Sequence, residues 1–228
     1  YQNNFLKGRP FVEKSLNLAK KFYGEKNPKI LLPISNVLSN YYHLSLFNKS
    51  EDLAREGLEI VFKYIQAEGP FLPLKTRPLF IYKNKFIPNL VFTAHNFNQQ
   101  STENAIFSRI NKQGLLAEIE KRQFQLSNLP GPQLKISKEL RVLTSKIASK
   151  QIGIEERNNL FIKKEKLETK LYRLLPSLKP RIVEVEQIVR SLPKDSFLVE
   201  YQRYLPIGGE LNSSGPRYLA MLINSDGS

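Results

Sequence analysis

Apolar positions recur at helical spacing over most of this chain and change to strand-like runs only near its C-terminal end. Ile34, Val37, Leu38 and Tyr41 mark one stripe, on a helix predicted from Lys29 to Phe47, with a partner helix over Ser50–Ile65. Leu115, Ile119, Leu126 and Leu129 recur at four, seven and three, a seam of nearly 3.5-residue period. Glu118, Glu120, Lys121 and Arg122 fill the other faces, so this segment reads as amphipathic. The pattern opens near Glu103 and is stopped by Pro130-Gly131-Pro132, which predicts one helix about 40 Å long at 1.5 Å per residue. Ile136, Leu140, Leu143 and Ile147 then predict a helix from about Leu134 to Gln151. Leu160, Leu167, Leu171, Leu174 and Leu178 predict another from Glu155 onward. Joined through Gly153, these two form an antiparallel hairpin in this reading. Ile182, Val185, Val189 and Leu192 mark a shorter helix.

The pattern changes at Pro193. Phe197–Tyr204 and Arg217–Asn224 read as antiparallel strands, joined across Gly208-Gly209 and Ser213-Ser214-Gly215. The second is apolar on both faces, which predicts a strand covered on both sides within a layered α/β sheet. Two strands alone are marginal, so the expectation is a chain cut at the start of a domain.

The N-terminal part repeats itself. Lys14-Ser15-Leu16-Asn17-Leu18 aligns with Glu56-Gly57-Leu58-Glu59-Ile60 at a spacing of 42, and Phe11, Lys21 and Phe22 align with Leu53, Lys63 and Tyr64. Ser15 and Gly57 are the small residues expected where two helices approach closely. Repeats of this length mean stacked helix pairs, each unable to bury its face alone. Pro28 suits the first turn of a helix, and Pro33 stands near enough to the start to be borne. Between Gly69 and Asn98, Pro70, Pro73, Pro78 and Pro88 interrupt any long helix in a strongly apolar stretch. Its aromatics, with Lys75, Arg77, Lys83 and Lys85, fit either a base-stacking surface or a cap on the open end of the repeats; the cap is preferred.

The resulting division is 1–68, helical repeats; 69–102, an irregular apolar connector; 103–192, a helical arm; and 193–228, the first strands of a further domain. Net charge is +14, with an excess of seven basic residues in 1–102, eight in 103–180, and one acidic residue in 181–228. A basic helical surface suits nucleic acid, an acidic protein or an anionic membrane, and the plainer reading is a solvated face. The sequence has no run of 18 apolar residues and no Cys, so it carries no disulfide or zinc-finger framework, and the cytoplasm is the default location. His43 and His95 lack partners at ligand spacing. Glu118 and Glu120 project to different sides of a helix and read as surface charges. No catalytic, cofactor-binding or metal-binding residue is assigned, and no cofactor is expected.

Asn27-Pro28, Ile34, Asn36, Val37, Tyr41, Phe47, Leu58 and Ile60 resemble the 42-residue, kinesin-light-chain type of tetratricopeptide repeat, with Ser45 where the turn glycine usually stands. Phe71-Leu72-Pro73, the run from Ser108 to Leu116, Glu118 to Gln123, and Leu129-Pro130-Gly131-Pro132 resemble the CHAT family. Leu171 to Pro176, Leu192-Pro193, Leu198 to Tyr204 and Pro216 to Ala220 extend that resemblance, with Ser214-Gly215 in place of the family's tryptophan-glycine. It implies tetratricopeptide repeats, then long amphipathic helices, then two strands that begin an α/β caspase-like domain. It also implies cysteine peptidase chemistry, a thiolate activated by a His. With no Cys, these 228 residues cannot supply that nucleophile. The expected role is a regulatory portion that takes a protein or peptide partner on its helices. The alternatives are a non-catalytic scaffold and, less favoured, a basic nucleic-acid-binding helical protein.

Overall fold

The computed structural model describes residues 2–95, 102–149, 152–175, 179–206 and 215–226. These residues form helices α1 (Gln2–Tyr23), α2 (Leu31–His43), α3 (Phe47–Glu68), α4 (Arg77–Lys83), α5 (Phe86–His95) and α6 (Thr102–Lys112). Helices α7 (Leu115–Ser127), α8 (Gly131–Ala148), α9 (Ile154–Leu174) and α10 (Val185–Ser191) follow, then strands β1 (Phe197–Tyr204) and β2 (Arg217–Asn224). They gather into two compact units. Unit 1 comprises residues 1–62, 83–113 and 182–228, and unit 2 comprises residues 63–82 and 114–181.

In unit 1, Asn27 accepts from the Lys29 N–H at 3.0 Å and starts the 3-10 turn Pro28–Ile30, so α2 begins two residues later than its stripe suggests. Ser45 takes the left-handed conformation, φ 57°, at the turn into α3. Ile34, Val37, Leu38 and Leu58 are buried, as their spacing predicts. α2 packs chiefly on α1 and then on α5, and not chiefly on the partner helix expected over Ser50–Ile65, which it meets where Ile34 approaches Gly57. Gly57 sits at a close approach: a Cβ there would lie 3.0 Å from Ile87 and 3.1 Å from Ile34. Its repeat equivalent Ser15 is exposed, so the close approach expected there does not occur among the described residues. The stretch read as an irregular connector is largely helical. Pro78 and Pro88 fall within the first turns of α4 and α5, where a missing N–H costs nothing. α5 is buried over Ile87–Ala94. The loop expected over 96–101 lies outside the described residues.

β1 and β2 pair antiparallel over their whole length, Phe197 opposite Asn224 and Tyr204 opposite Arg217. Met221 and Ile223 are buried while Tyr218 and Leu222 are exposed, so β2 is covered on one face and not, as expected, on both. The Gly208-Gly209 and Ser213-Ser214 connection lies outside the described residues.

The single long helix expected from Glu103 to Leu129 is two helices. Gly114 adopts φ 66°, which only glycine reaches at little cost, and this ends the α6 segment and starts α7. The seam itself survives in unit 2: Leu115, Ile119 and Leu126 are buried. There α7 packs on the 3-10 turn Gly69–Phe71 and on α8, and α8 packs against α9. Phe71, Leu126, Ile136, Leu140 and Leu171 form the core, with Leu129, Leu167, Tyr172 and Leu175 against it. Leu174, placed in the α9 seam by its spacing, is 47% exposed. Leu178 and Gln151 lie outside the described residues.

Candidate functional site

Helix α6 of unit 1 carries Ala105, Ile106 and Phe107 inward, as an amphipathic helix must. Asn104, Ser108 and Asn111, spaced four and three apart, are also buried and form a polar row along the same helix. Buried amides need partners, and each asparagine has them. Asn104 Nδ2 donates to the Glu51 backbone oxygen at 3.1 Å and to the Glu51 carboxylate at 2.7 Å, which ties α6 to α3. Asn111 Nδ2 donates to the Val183 carbonyl at 2.9 Å, and Asn111 Oδ1 accepts from the Val183 N–H at 2.9 Å. One side chain thus satisfies both backbone groups of a residue that has no helix or strand to do so.

Charged groups extend this clamp. Arg109 Nε donates to Glu200 of β1 at 3.0 Å, with both side chains largely shielded. Arg55 of α3 lies over the Phe107 ring at 3.5 Å and pairs with Glu184 and with Glu103. Glu184 in turn caps α10 in a reciprocal box with Gln187. Lys112 lies 5.7 Å over Phe92, its pKa lowered by burial and by the neighbouring charges of Arg109 and Lys85. Phe92 meets Tyr204 of β1 at 5.9 Å. α6 therefore contacts the repeat helix α3, the segment leading to α10, and the first strand.

Unit 2 holds a different polar group. Lys164, 4% exposed, donates to Glu68 and to Glu168 at 2.6 Å each. Burial works against its charge, and the two carboxylates outweigh it and hold its pKa above the ordinary value. Burial pushes the Glu168 carboxyl up, with Lys164 opposing. Arg122, also buried, donates to Gln66 at 3.1 Å and to Glu118 at 2.9 Å. Gln66 pairs with both backbone groups of Arg181, through Arg181 N–H at 2.9 Å and Arg181 O at 2.9 Å. The cavity between Gln66, Phe71, Arg122, Leu126 and Tyr172 has room for about one water molecule.

The residues weighed from the sequence take other roles. His43 Nδ1 bonds to the Ser39 carbonyl at 2.7 Å, and its ring stacks on Phe5 at 4.0 Å. His95 meets the Thr102 hydroxyl at 3.3 Å. Glu118 is half-exposed and supports buried Arg122, whereas Glu120 is exposed. Arg77, read with the aromatics as part of a surface, is fully buried and donates to the Leu72 carbonyl and to Gln123. Among the described residues no three His, Asp or Glu side chains stand together as a metal site, and no helix is long and apolar enough to cross a membrane. The clamp residues Asn104, Asn111, Arg55 and Arg109 were missed. Polar residues at spacings of four and three beside apolar ones were the available signal. Compared with family models, curated proteins and solved structures, the chain gives no significant match.

Proposed function

We propose that this chain is the regulatory, protein-binding portion of a CHAT-type protein, in which helical repeats take a protein partner and α6 couples them to the C-terminal strands. The observation that carries this reading is the α6 clamp. Asn104 holds α3, Asn111 holds Val183, and Arg109 holds Glu200, so one short helix is bonded to the repeats and to the strand pair. A helix with those bonds passes a displacement of α3 on to β1 through contacts that exist in the ground state. Because the 228 residues contain no Cys, the thiolate of a CHAT peptidase has to come from outside them.

The test is amide hydrogen exchange on Asn111→Leu, which leaves the Val183 N–H and C=O without their partners. Val183 is half-buried, so water replaces part of what is lost and the cost is about 1 kcal/mol, the low end for an unsatisfied group. Protection should fall in α10 and in β1 and β2, while α1 and α2 keep theirs. Loss confined to residues around Val183, with the strands unchanged, sinks the coupling.

A further inference from the structure

The charge of the chain is unevenly divided. Unit 2 holds 18 basic and 8 acidic residues, so ten of the fourteen net positive charges fall in the smaller unit. The hairpin of α8 and α9 gathers many of them on one side. Lys163 of α9 pairs with Glu139 of α8 at 2.9 Å, which fixes the flank that the two helices share. Lys166, Lys170 and Arg173 continue from Lys163 at three, four and three, and Lys135 and Lys146 stand four before and seven after Glu139. Residues at these spacings share a helix face. All six basic residues are exposed, and among the described residues only Lys163 of the six has a carboxylate partner. A face that is merely solvated interleaves the two signs along the helix. Like charges three and four apart repel, and here no carboxylate relieves the repulsion beyond Lys163.

The geometry narrows the kind of anion that fits. The basic side chains lie in two rows, one on each helix, and packed helices stand about 8–10 Å apart. Because α8 and α9 run back along each other about Glu139 and Lys163, the rows together extend about 25 Å, from Lys146 at one end to Arg173 at the other. A nucleic acid duplex presents two lines of phosphate that bound grooves about 6–12 Å wide. Two basic rows at this separation therefore meet phosphates on both strands. Asn159, exposed on the same side, adds a neutral donor of the kind that meets phosphate oxygens. The exposed large apolar side chains of the hairpin are Val142, Ile154, Ile162 and Leu174. None is aromatic, so the bases of a single strand find no stacking platform.

We propose that this face of the α8–α9 hairpin binds the phosphate backbone of a nucleic acid duplex, independently of base sequence, through Lys135, Lys146, Lys166, Lys170 and Arg173. Contacts to phosphate position a protein on a duplex and carry no sequence information. The other occupants fit less well. An amphipathic helix of a partner protein needs an apolar seam beside the charges, and so does insertion into a bilayer. The four exposed apolar residues of the hairpin are scattered around their helices and form no such seam. A second copy of this chain presents charge of the same sign.

The test is fluorescence anisotropy of the full chain with DNA and RNA duplexes of about 20 base pairs, in unrelated sequences. At least one kind of duplex should bind, with little preference among sequences. Log affinity should fall against log salt with a slope of about −4 to −5, the figure for five neutralised phosphates. K166Q/K170Q/R173Q should weaken binding by about tenfold or more and reduce that slope by about 3, with helical content unchanged. K7Q/K14Q/K21Q removes the same charge from exposed positions of α1 and should leave affinity and slope nearly as they are. An equal loss in the two triple variants would show attraction to net charge and not to this face, and would overturn the proposal. So would the absence of duplex binding at about 50 mM salt. A single strand, a glutamate-rich helical peptide or phosphatidylserine vesicles bound more tightly than either duplex would overturn it as well.

Discussion

The two units solve the problem of burying polar groups in opposite ways. Unit 1 places neutral amides inside and uses them to hold backbone: Asn104 bonds Glu51 and its carbonyl, and Asn111 bonds Val183. Its ion pairs, Arg55 with Glu103 and Arg109 with Glu200, keep part of each arginine in water. Unit 2 places whole charges inside. Lys164 between Glu68 and Glu168, Arg122 on Glu118, and Arg77 on the Leu72 carbonyl all sit among leucines. A neutral amide that loses a partner forfeits one or two hydrogen bonds, whereas a buried charge that loses its partner is stranded in a medium that cannot solvate it. Unit 2 is therefore the more brittle to single substitutions, although its leucine seams look the more ordinary.

The largest expected effect breaks that comparison open. Lys164→Ala leaves Glu68 and Glu168 side by side without a counter-charge, a loss of about 3–5 kcal/mol. Urea unfolding should show it, and adding Glu68→Gln and Glu168→Gln should recover most of it. A triple variant no better than the single one would mean that Lys164 matters through packing alone.

Next comes a substitution in unit 1 that involves no charge. Gly57→Leu forces a side chain into a space where even a Cβ lies 3.0 Å from Ile87 and 3.1 Å from Ile34. Overpacking of this kind costs about 1–3 kcal/mol. Thermal unfolding gives the answer, and an unchanged midpoint would show that α2 and α5 have room to move apart.

The smallest effect is a pH response of opposite sign in the two units. Burial lowers the His95 pKa in unit 1, so the unfolded chain takes up its proton first. Folding is then weakened as pH falls from the ordinary value of 6.5 through the lower folded pKa. Glu13, in the same unit, is held below its usual range by hydrogen bonds from Arg9 and Tyr41, and it adds to that loss at lower pH. Glu168 in unit 2 is raised by burial, so its contribution is present below the ordinary carboxylate value and is lost as pH rises through the folded pKa. Between about pH 7 and about pH 5, amide protection relative to the intrinsic exchange rate should therefore fall in α5 and α6 before α8 and α9. His95→Gln should flatten the unit 1 response. An earlier fall of protection in α8 and α9 at the acid end would reverse the assignment.

Much of this was determined locally by the order of residue types. Ile34, Val37, Leu38 and Leu58 are buried because one helical face holds them at the spacing that a packed helix requires. The bounds of β1 and β2 follow from apolar runs closed off by Pro193, the glycines and Pro216, whereas the twelve residues between the strands leave the direction of pairing open and the structure makes it antiparallel. Leu140 and Leu171 meet because two leucine seams joined by Gly153 have a short path back along each other. Other features were decided only when distant segments met. Gly114 sits in a pattern that reads as helix on either side, and periodicity does not register a positive φ that glycine adopts almost without cost. Ser15 and Gly57 occupy the same place in the repeat, yet only Gly57 has Ile34 and Ile87 against it. Lys164 falls at a polar position of α9 and would be solvated on an isolated helix; it is buried because Glu68, 96 residues earlier, is brought to its ammonium group. Helix and strand patterns are legible along the chain because they depend on neighbours a few residues away. The burial of a charge depends on what arrives from elsewhere to neutralise it, and only the tertiary structure decides that.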